Sequence, residues 1–490
     1  MAEEKIDIKT LEHEVEGLYN SKHLVARITF RGVTPWWGGD FEGCTSRWVD
    51  EDEIAGRLRW FLRTVYNRFC ANDLNNYGES EERISQILGS TSGRSLYSFK
   101  VSDVNWKEDD SYRELERVSK LVARGKDKDP KCYSPIKVEK FTLEVLRTGE
   151  DGKYDKVVVG GLLITLAFLG VGRGVTRGFG RFVPESCSNM ERCDDILSKL
   201  FELVKNGKVK EAFETFYSLF KASFKGITDC SKTNSWTNSA VPLAPLTEDG
   251  PDSIKETQCT TDDEIRALNV IQRSVMKSTF KTISYGVNIW DPGPFIHTWV
   301  FGLPRHSKVP DDVKKKMQNM GIYPDEMQIY ESKVKESPFM GYLEELKENQ
   351  LTEPRRQSMF VISPVRDGTK YTIYIIPFLS LRDNESKVNA LMHIGIHIKK
   401  NENAEEEDKI HLIRVADIRV ADVPSQKILY PKEKSLADKR PDLSYGSIKD
   451  IIENYGNELV KIIKIKCQEG QSPTQARGGV GGKKRPARRH

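Results

Sequence analysis

A loop of glycines and arginines is the segment whose residue types are best suited to binding a phosphate. Residues 170–182 read GVGRGVTRGFGRF, with five glycines and three arginines. Glycine lets backbone amides converge on an anion, because a positive φ is available and no Cβ blocks the approach. Arginine adds a planar guanidinium that matches the oxygens of a phosphate. The composition therefore predicts a phosphate-binding loop.

The loop matches neither of two common phosphate-binding motifs. A Walker A loop needs Lys-Ser or Lys-Thr after its last glycine, and neither pair is present here. The dinucleotide-binding pattern GxGxxG also fails, because no GxG pair has the third glycine. The glycines disfavour a helix, so Arg173, Arg177 and Arg181 are expected to project from a loop. The alternative is a tight turn whose arginines meet carboxylates, but few acidic residues lie between 157 and 184.

A predicted helix over residues 53–69 places basic side chains beside a tryptophan. Arg59 and Arg63 are four residues apart and share one face, where Trp60 could add a base-stacking surface. Taken alone, the helix favours the alternative, with Trp60 in the core and the arginines in surface ion pairs. The paired tryptophans of TPWWGGD leave two similar interpretations open: base stacking, or packing in a core or subunit interface.

Length and charge limit the classes of protein to which the chain can belong. The sequence has 490 residues, which favours two or three domains. The net charge is only +4, so a site for a polyanion must come from local clustering of basic residues. The mean hydropathy of −0.53 is typical of a soluble protein, and the acidic N-terminus has no secretory segment. A cytoplasmic location is therefore expected.

The eight cysteines are scattered along the chain and form no CxxC pair. This distribution predicts reduced thiols in a cytosolic protein. The ligand spacings of structural zinc sites are also missing. We therefore expect neither a metal nor a cofactor.

The order of hydrophobic patterns predicts an α+β fold. Residues 20–185 are expected to form strand, helix, strand, strand, helix and a last strand at GRFVPE. This order suits a ferredoxin-like sandwich better than a doubly wound sheet, in which strands and helices alternate regularly. The apolar run at 157–172 is shorter than the ~20 residues of a bilayer span and is interpreted as a core element.

Three segments follow from this division. Residues 1–185 are predicted to form an N-terminal domain that carries the glycine loop, and residues 186–466 a second domain with helical insertions. Residues 467–490 have the composition of a disordered basic tail. Charged stretches at 107–131 and 308–356 are predicted to be insertions.

Four motifs together resemble one known family. TFRGVTPWWGGD closes the first strand, EIAGRLRWFLR lies on the first helix, ILGSTSGRSLYSF follows it, and the glycine/arginine loop comes near the end of the first domain. This set resembles the RAMP superfamily of CRISPR proteins, and in particular the Cmr proteins of type III-B RNA-guided effector complexes. VFGLPR and EPRRQSMFVISP resemble the second, divergent ferredoxin-like domain of that family.

The resemblance implies tandem ferredoxin-like (RRM-like) domains in a non-catalytic RNA-binding subunit. Such a subunit would cap the complex near the 3′ end of the CRISPR RNA, with target RNA and other Cmr subunits as its partners. RNA sequence would be read by base pairing, so the protein needs only shape and phosphate recognition. The predicted RNA-binding residues are Arg59, Trp60, Arg63, Arg94, Gly172, Arg173, Gly174, Arg177, Gly178, Gly180 and Arg181.

Two other functions stay open from the sequence. Some relatives are metal-independent endoribonucleases, for which His23 is the candidate general base, and another relative cuts target RNA with a loop aspartate, for which Asp40 is the candidate. Alternatively, the chain is purely an assembly protein whose helices at 194–224 and 261–281 dock neighbouring subunits. The non-catalytic RNA-binding role is favoured over both.

Overall fold

The computed structural model describes most of the N-terminal half of the chain and parts of the C-terminal half. The described residues are 23–39, 45–91, 93–115, 134–149, 151–188, 195–275, 307–308, 339–344, 358–381, 391–397, 409–414 and 448–469.

The N-terminal unit follows the predicted order of strands and helices. Its elements are β1 (Leu24–Gly32), α1 (Glu51–Phe69), α2 (Gly78–Leu88), β2 (Tyr97–Lys107), β3 (Lys137–Arg147), α3 (Asp155–Ile164) and β4 (Phe182–Ser188). The strands pair antiparallel in the order β2-β3-β1-β4. This is the ferredoxin-like topology, with α2 as an additional helix after α1. The expected fold of this part of the chain is confirmed.

Sequence periodicity explains how these elements form. In β1, every second residue from Leu24 to Phe30 is buried against the helices, as the period of a strand requires. Helix α1 begins after Asp50, whose carboxylate accepts hydrogen bonds from the amides of Asp52 and Glu53 at 2.7 and 3.0 Å. Capping and periodicity together fix the face that α1 turns toward the core.

Two helices after the glycine loop extend the same core. They are α4 (Asp195–Lys205) and α5 (Val209–Phe224). The rings of Phe213 and Phe216 in α5 lie 5.9 and 5.3 Å from that of Phe61 in α1. The core of the N-terminal unit therefore includes residues beyond 185, while the boundary between the two predicted domains stays a prediction.

Helix α3 is buried along most of its length, because it packs against α1, α4 and α5. It continues into a π-helical turn, Thr165–Leu169, which leads directly into the glycine loop. A Cβ on Gly160 would lie 3.0 Å from Leu200, and one on Gly161 would lie 2.8 Å from Leu58. Only glycine lets the neighbouring helices approach this closely.

The second unit repeats part of the ferredoxin-like order. Its elements are β5 (Lys255–Thr261), α6 (Glu264–Ser274), β6 (Ser307–Lys308), β7 (Phe339–Glu344), β8 (Phe360–Asp367), β9 (Lys370–Pro377), β10 (Leu391–His397), β11 (Lys409–Arg414) and α7 (Ile448–Glu469). β5, β9 and β8 form an antiparallel sheet in that order, and β11, β10, β7 and β6 form another. The β5-α6-β8-β9-α7 series, with β9 between β5 and β8, has the order of the first five ferredoxin-like elements. No fourth strand joins that sheet within the described residues.

A buried ion pair joins α1 to the segment that leads into the second sheet. The guanidinium of Arg68 donates hydrogen bonds to the Asp252 carboxylate and to the backbone oxygens of Ala244 and Asn234, all at 2.7 Å. The Arg68 side chain is only 1% exposed and that of Asp252 9%. Burial lowers the pKa of Arg68, and the Asp252 charge counteracts that effect.

A carboxylate in the first turn of α6 makes a second contact between the units. Glu264 accepts hydrogen bonds from the Tyr112 hydroxyl and, at 3.2 Å each, from Lys137 and the Tyr371 hydroxyl. Tyr112 and Lys137 belong to the N-terminal unit, whereas Tyr371 lies in β9. Burial and the Glu264 charge raise the pKa of Tyr371 to about 12, so its hydroxyl remains a donor at neutral pH.

The expectation of reduced cysteines is wrong for four of them. Cys70 at the end of α1 is bonded to Cys230 after α5, and Cys259 in β5 is bonded to Cys467 in α7. The bonded residues are 160 and 208 positions apart in sequence. No local spacing pattern can reveal pairs that only the tertiary fold brings together.

Several predictions concern residues that the structure does not describe. Asp40, residues 276–281 of the predicted helix and most of both charged insertions lie outside the described ranges. The predicted tail 467–490 begins too early, because α7 extends to Glu469 and the remaining residues are not described. Among the described residues, no helix combines the length and apolar character needed to cross a bilayer.

We expect two disulfides to be detectable in the purified protein. Alkylation after denaturation without reductant should then label at most four of the eight cysteines, as counted by mass spectrometry. Reduction should lower the free energy of unfolding by about 2–4 kcal/mol per bond, because each bond closes a long loop in the unfolded chain. Labelling of all eight cysteines before reduction would contradict both pairings.

The buried ion pair predicts an asymmetric response to mutation. Asp252→Ala should lower the free energy of unfolding by about 3–5 kcal/mol, because Arg68 would keep a buried charge without its counter-ion. The double variant Arg68→Met/Asp252→Ala removes both charges and should recover much of that loss. Urea denaturation followed by circular dichroism measures both. If Asp252→Ala were as stable as the wild type, Arg68 would not depend on this carboxylate.

Candidate nucleic-acid interface

The glycine loop has one defined conformation that depends on its glycines. The residues with positive φ are Gly170, Gly172, Gly174, Gly178 and Gly180, at 72°, 91°, 72°, 92° and 67°. A Cβ on Gly180 would lie 1.9 Å from the carbonyl oxygen of Val171. Residues other than glycine rarely adopt a positive φ. These five positions, which fall within eleven residues, therefore require glycine for their backbone conformation, and Gly180 also for lack of space. The loop is thus a folded structure rather than a flexible turn.

Backbone hydrogen bonds hold the loop against the segment that follows β1. The amide of Gly180 donates to Pro35 O at 2.9 Å, and that of Arg173 donates to Trp37 O at 2.6 Å. The Thr34 hydroxyl donates to Gly178 O at 2.7 Å. The TPWWGGD motif and the glycine loop therefore form one structural unit.

The two tryptophans of that motif are core residues. Trp36 packs against Phe182 and Trp37 against Phe179, with ring centroids 6.1 and 5.3 Å apart. Both indoles are buried, so neither presents a face on which a base could stack. Of the two interpretations left open by the sequence, packing is the one observed.

The loop also contacts the edge strand of the second unit. The amide of Ile362 in β8 donates to Thr176 O at 3.2 Å, and Arg177 forms a parallel bridge with the same residue. A Cβ on Gly178 would lie 2.9 Å from Pro364. The loop consequently lies between the two units and contacts both.

The expectation that Arg181 projects from the loop is wrong. Its side chain is fully buried, and its guanidinium donates to Phe179 O and Val175 O at 2.7 Å and to the Ser363 hydroxyl at 3.0 Å. Burial, together with repulsion from nearby Arg57, lowers the pKa of Arg181 well below its ordinary value. Arg181 cross-links the loop and β8, and no part of its side chain is available to RNA.

The other two loop arginines are accessible. Arg173 is exposed and Arg177 half-buried. The side chain of Arg173 lies over Gly39, since a Cβ on that glycine would come within 2.5 Å of its Nη2. Burial raises the pKa of Glu53 above its ordinary value, and the positive charge of Arg173 offsets part of that rise. The alternative, in which the loop arginines meet carboxylates, applies to Arg173 only through this electrostatic contact with Glu53. Arg173 is exposed and presents its positive charge at the rim of the loop.

The two basic residues of α1 that the sequence singled out, Arg59 and Arg63, make contacts with α2. Arg59 donates to Leu88 O at 2.7 Å, and Arg63 donates to Glu81 Oε1 at 3.2 Å, so both point toward α2. Their contacts match the alternative interpretation of an ordinary amphipathic helix. That Arg59 and Arg63 contact RNA stays a prediction.

Trp60 and Arg94 occupy two further locations. Trp60 packs on Phe378 of the second unit, with ring centroids 4.6 Å apart. Arg94 is exposed in the turn between α2 and β2. The predicted RNA-binding residues therefore occupy several surfaces, and of the predicted arginines only Arg173 and Arg177 remain together at an accessible site.

A further candidate, which the sequence pattern did not single out, is Arg57, one position after Gly56 in the helix motif. Its guanidinium carbon lies 4.1 Å from the centroid of the Trp60 ring. The residue is only 9% exposed, and its Nε and Nη2 have no hydrogen-bond partner in the described part of the chain. Burial lowers the pKa of Arg57 to about 9, which leaves it charged at neutral pH. Its position three residues before Trp60 on one helical face was the available signal.

The candidate catalytic residues of the nuclease alternative can be assessed only in part. His23 Nδ1 lies within hydrogen-bond distance, 2.8 Å, of the backbone oxygen of Arg147 at the end of β3. Asp40 lies outside the described residues. Within the described ranges, no group of three or more His, Cys, Asp or Glu side chains could hold a metal ion.

Several solved structures are similar to this chain. One is a chain from the structure of type III-B Cmr-beta bound to cognate target RNA and AMPPnP in the presence of ssDNA. It is 15% identical in sequence to this chain, with a TM-score of 0.44, and the alignment covers 74% of this chain and 97% of that chain. Another Cmr-beta structure bound to cognate target RNA is 14% identical, with a TM-score of 0.45 over 73% and 94%. Apo Cmr1 from Pyrococcus furiosus is 12% identical, with a TM-score of 0.40 over 79% and 93%. No curated protein matches the sequence.

The family match covers the segment that the motifs single out. The model of the RAMP superfamily matches residues 29–183. This segment runs from the second half of β1 through α1, α2, α3 and the glycine loop to the first residues of β4. It contains β2 and β3 entirely, the last four residues of β1 and the first two of β4, together with the glycine loop and the segment after β1 that binds it. The similarity to the RAMP superfamily that the sequence motifs predicted is therefore found for residues 29–183.

Proposed function

We propose that this protein is a non-catalytic RNA-binding subunit of a type III-B CRISPR effector complex. In this proposal it caps the complex near the 3′ end of the CRISPR RNA and contacts guide and target RNA. The observation that carries the proposal is the match of residues 29–183 to the RAMP superfamily model. The matched segment includes the glycine loop, at whose rim Arg173 is exposed. The other Cmr subunits are its proposed protein partners.

The loop geometry suits recognition of a sugar–phosphate backbone. Its fixed conformation holds Arg173 and Arg177 without an ordering step on binding, which lowers the entropic cost of the contact. Guanidinium groups bind phosphates in a geometry that carries no sequence information. A subunit of a guided complex needs only such contacts, because base pairing between guide and target reads the sequence.

The interface between the two units supports a structural role for the remaining loop residues. Arg181, Gly178 and Gly180 bind or pack against the protein itself. We therefore narrow the proposed phosphate contacts of the loop to Arg173 and Arg177, with Gly172 and Gly174 giving the backbone its shape.

The proposal predicts a charge-dependent loss of RNA affinity. Arg173→Ala/Arg177→Ala should weaken binding of a fluorescein-labelled single-stranded RNA about 10- to 100-fold, because two charged hydrogen-bonding groups are lost. The slope of log K against log salt should fall by about 1.4, since each contact to a single strand contributes about 0.7. The loss should be nearly equal across guide sequences. Fluorescence anisotropy at several salt concentrations measures all three quantities.

A matched control separates contact from net charge. Lys199→Ala/Lys225→Ala also removes two positive charges, from exposed positions on α4 and just after α5. This control should keep the affinity and the salt slope of the wild type. Equal effects of the two double variants, or no effect of either, would overturn the assignment of the loop.

The nuclease alternative is tested separately. Purified protein incubated with end-labelled guide precursor and paired target, with and without magnesium, should leave both RNAs intact on a denaturing gel. Site-specific cleavage that disappears in His23→Ala or Asp40→Ala would instead assign a catalytic role to this chain.

A further inference from the structure

Arg57 is a buried cation for which the described residues supply no anion. It lies on the face of α1 that points toward the second unit, and it is 9% exposed. Two of its nitrogens, Nε and Nη2, are buried and make no hydrogen bond within the described residues. No carboxylate of the described residues lies within ion-pair distance of it, in contrast to Arg68 on the same helix. An unpaired buried charge is among the least favourable groups in a protein interior.

The aromatic contact does not satisfy this group. The centroid of the Trp60 ring lies 4.1 Å from the guanidinium carbon of Arg57, a cation–π contact that offsets part of the cost of burial. A stacked guanidinium still directs its N–H donors outward from its edges. Trp60 is itself held by Phe378, so Arg57 is fixed in one orientation with its edge donors unused.

A second buried guanidinium, that of Arg181, adds positive charge to the same region. Arg181 lies close enough to Arg57 for charge repulsion to contribute to the lowering of its pKa. Among the described residues Arg181 has no carboxylate partner, because its side chain donates to three backbone oxygens and one hydroxyl. Two cations therefore share a poorly solvated region between α1, the glycine loop and the second unit. An anion bound at Arg57 would stabilise both.

The surface of α1 one residue before Arg57 is open to solvent. The neighbouring Gly56 is exposed, and a Cβ at that position would meet no atom within 4 Å. Arg173 lies on the same side of the molecule, since its charge acts on Glu53, four residues before Arg57. The exposed loop cation and the buried helix cation thus flank the N-terminal half of α1.

We propose that Arg57 is a phosphate-binding residue whose ligand is a phosphate group of the bound RNA strand. The proposal rests on the proposed RNA-binding function and extends it from the loop surface to the buried face of α1. Trp60 orients the guanidinium, and the phosphate accepts hydrogen bonds from the donors that the protein leaves unused. Arg57 is then retained for ligand binding at a cost to the stability of the RNA-free protein.

The test compares wild type with Arg57→Met, which fills similar space without charge, and with Arg57→Lys, which keeps the charge but loses the planar fork. Inorganic phosphate at millimolar concentration should raise the Tm of the RNA-free wild type by about 2 °C or more, and should not raise that of Arg57→Met. Without phosphate, Arg57→Met should be at least as stable as the wild type, because a desolvated charge is gone. Loss of stability in Arg57→Met, with no phosphate effect on the wild type, would mean that Arg57 is structural.

Binding of single-stranded RNA identifies the source of the phosphate. Arg57→Met should weaken RNA binding about 10- to 100-fold, Arg57→Lys should weaken it less, and saturating RNA should abolish the Tm response of the wild type to phosphate. A lost phosphate response with unchanged RNA affinity would assign the site to free phosphate and overturn the RNA ligand. If Arg173→Ala/Arg177→Ala weakens RNA binding while both Arg57 variants bind normally, the proposed function stands and this inference fails. Should Arg57→Met not fold, the lysine variant carries the same comparison.

Discussion

The architecture depends on the burial of Arg181 between two ferredoxin-like units. Its guanidinium is enclosed by carbonyl oxygens of its own loop and by Ser363 of β8. A loop can wrap around a side chain in this way only if its backbone turns sharply, which the positive φ angles of its glycines permit. The loop then joins the end of β1 to the edge of β8. Its composition therefore serves the packing of the protein as much as any ligand.

That constraint divides the arginines of the chain into different roles. Arg181 and Arg68 hold the two units together from within, whereas Arg59 and Arg63 fasten α1 to α2. Arg173 is left exposed at the rim, and Arg57 is buried with two nitrogens that have no hydrogen-bond partner in the described part of the chain. Helix α1 consequently presents three distinct faces, toward the core, toward α2 and toward the second unit. The face toward the second unit links the fold to the proposed RNA site.

Sequence periodicity predicted the N-terminal fold because each of its elements is defined locally. Strand β1 alternates, α1 repeats every three to four residues, and both patterns depend on close neighbours. The burial of Arg181 depends instead on Ser363, which is 182 positions away, and the disulfides join residues 160 and 208 apart. Spacing within a motif cannot show whether an arginine faces solvent or a distant strand. The same limit explains why Arg57 was overlooked beside Arg59.

The most direct measurement is the mapping of ultraviolet cross-links between the assembled ribonucleoprotein and its RNA by mass spectrometry. The account predicts nucleotide adducts on the loop peptide at its exposed rim, around Arg173 and Arg177, and none on the buried Arg181. Adducts confined to other surfaces, with the peptide that contains residues 170–182 recovered unmodified, would contradict the claim that this loop holds the RNA backbone.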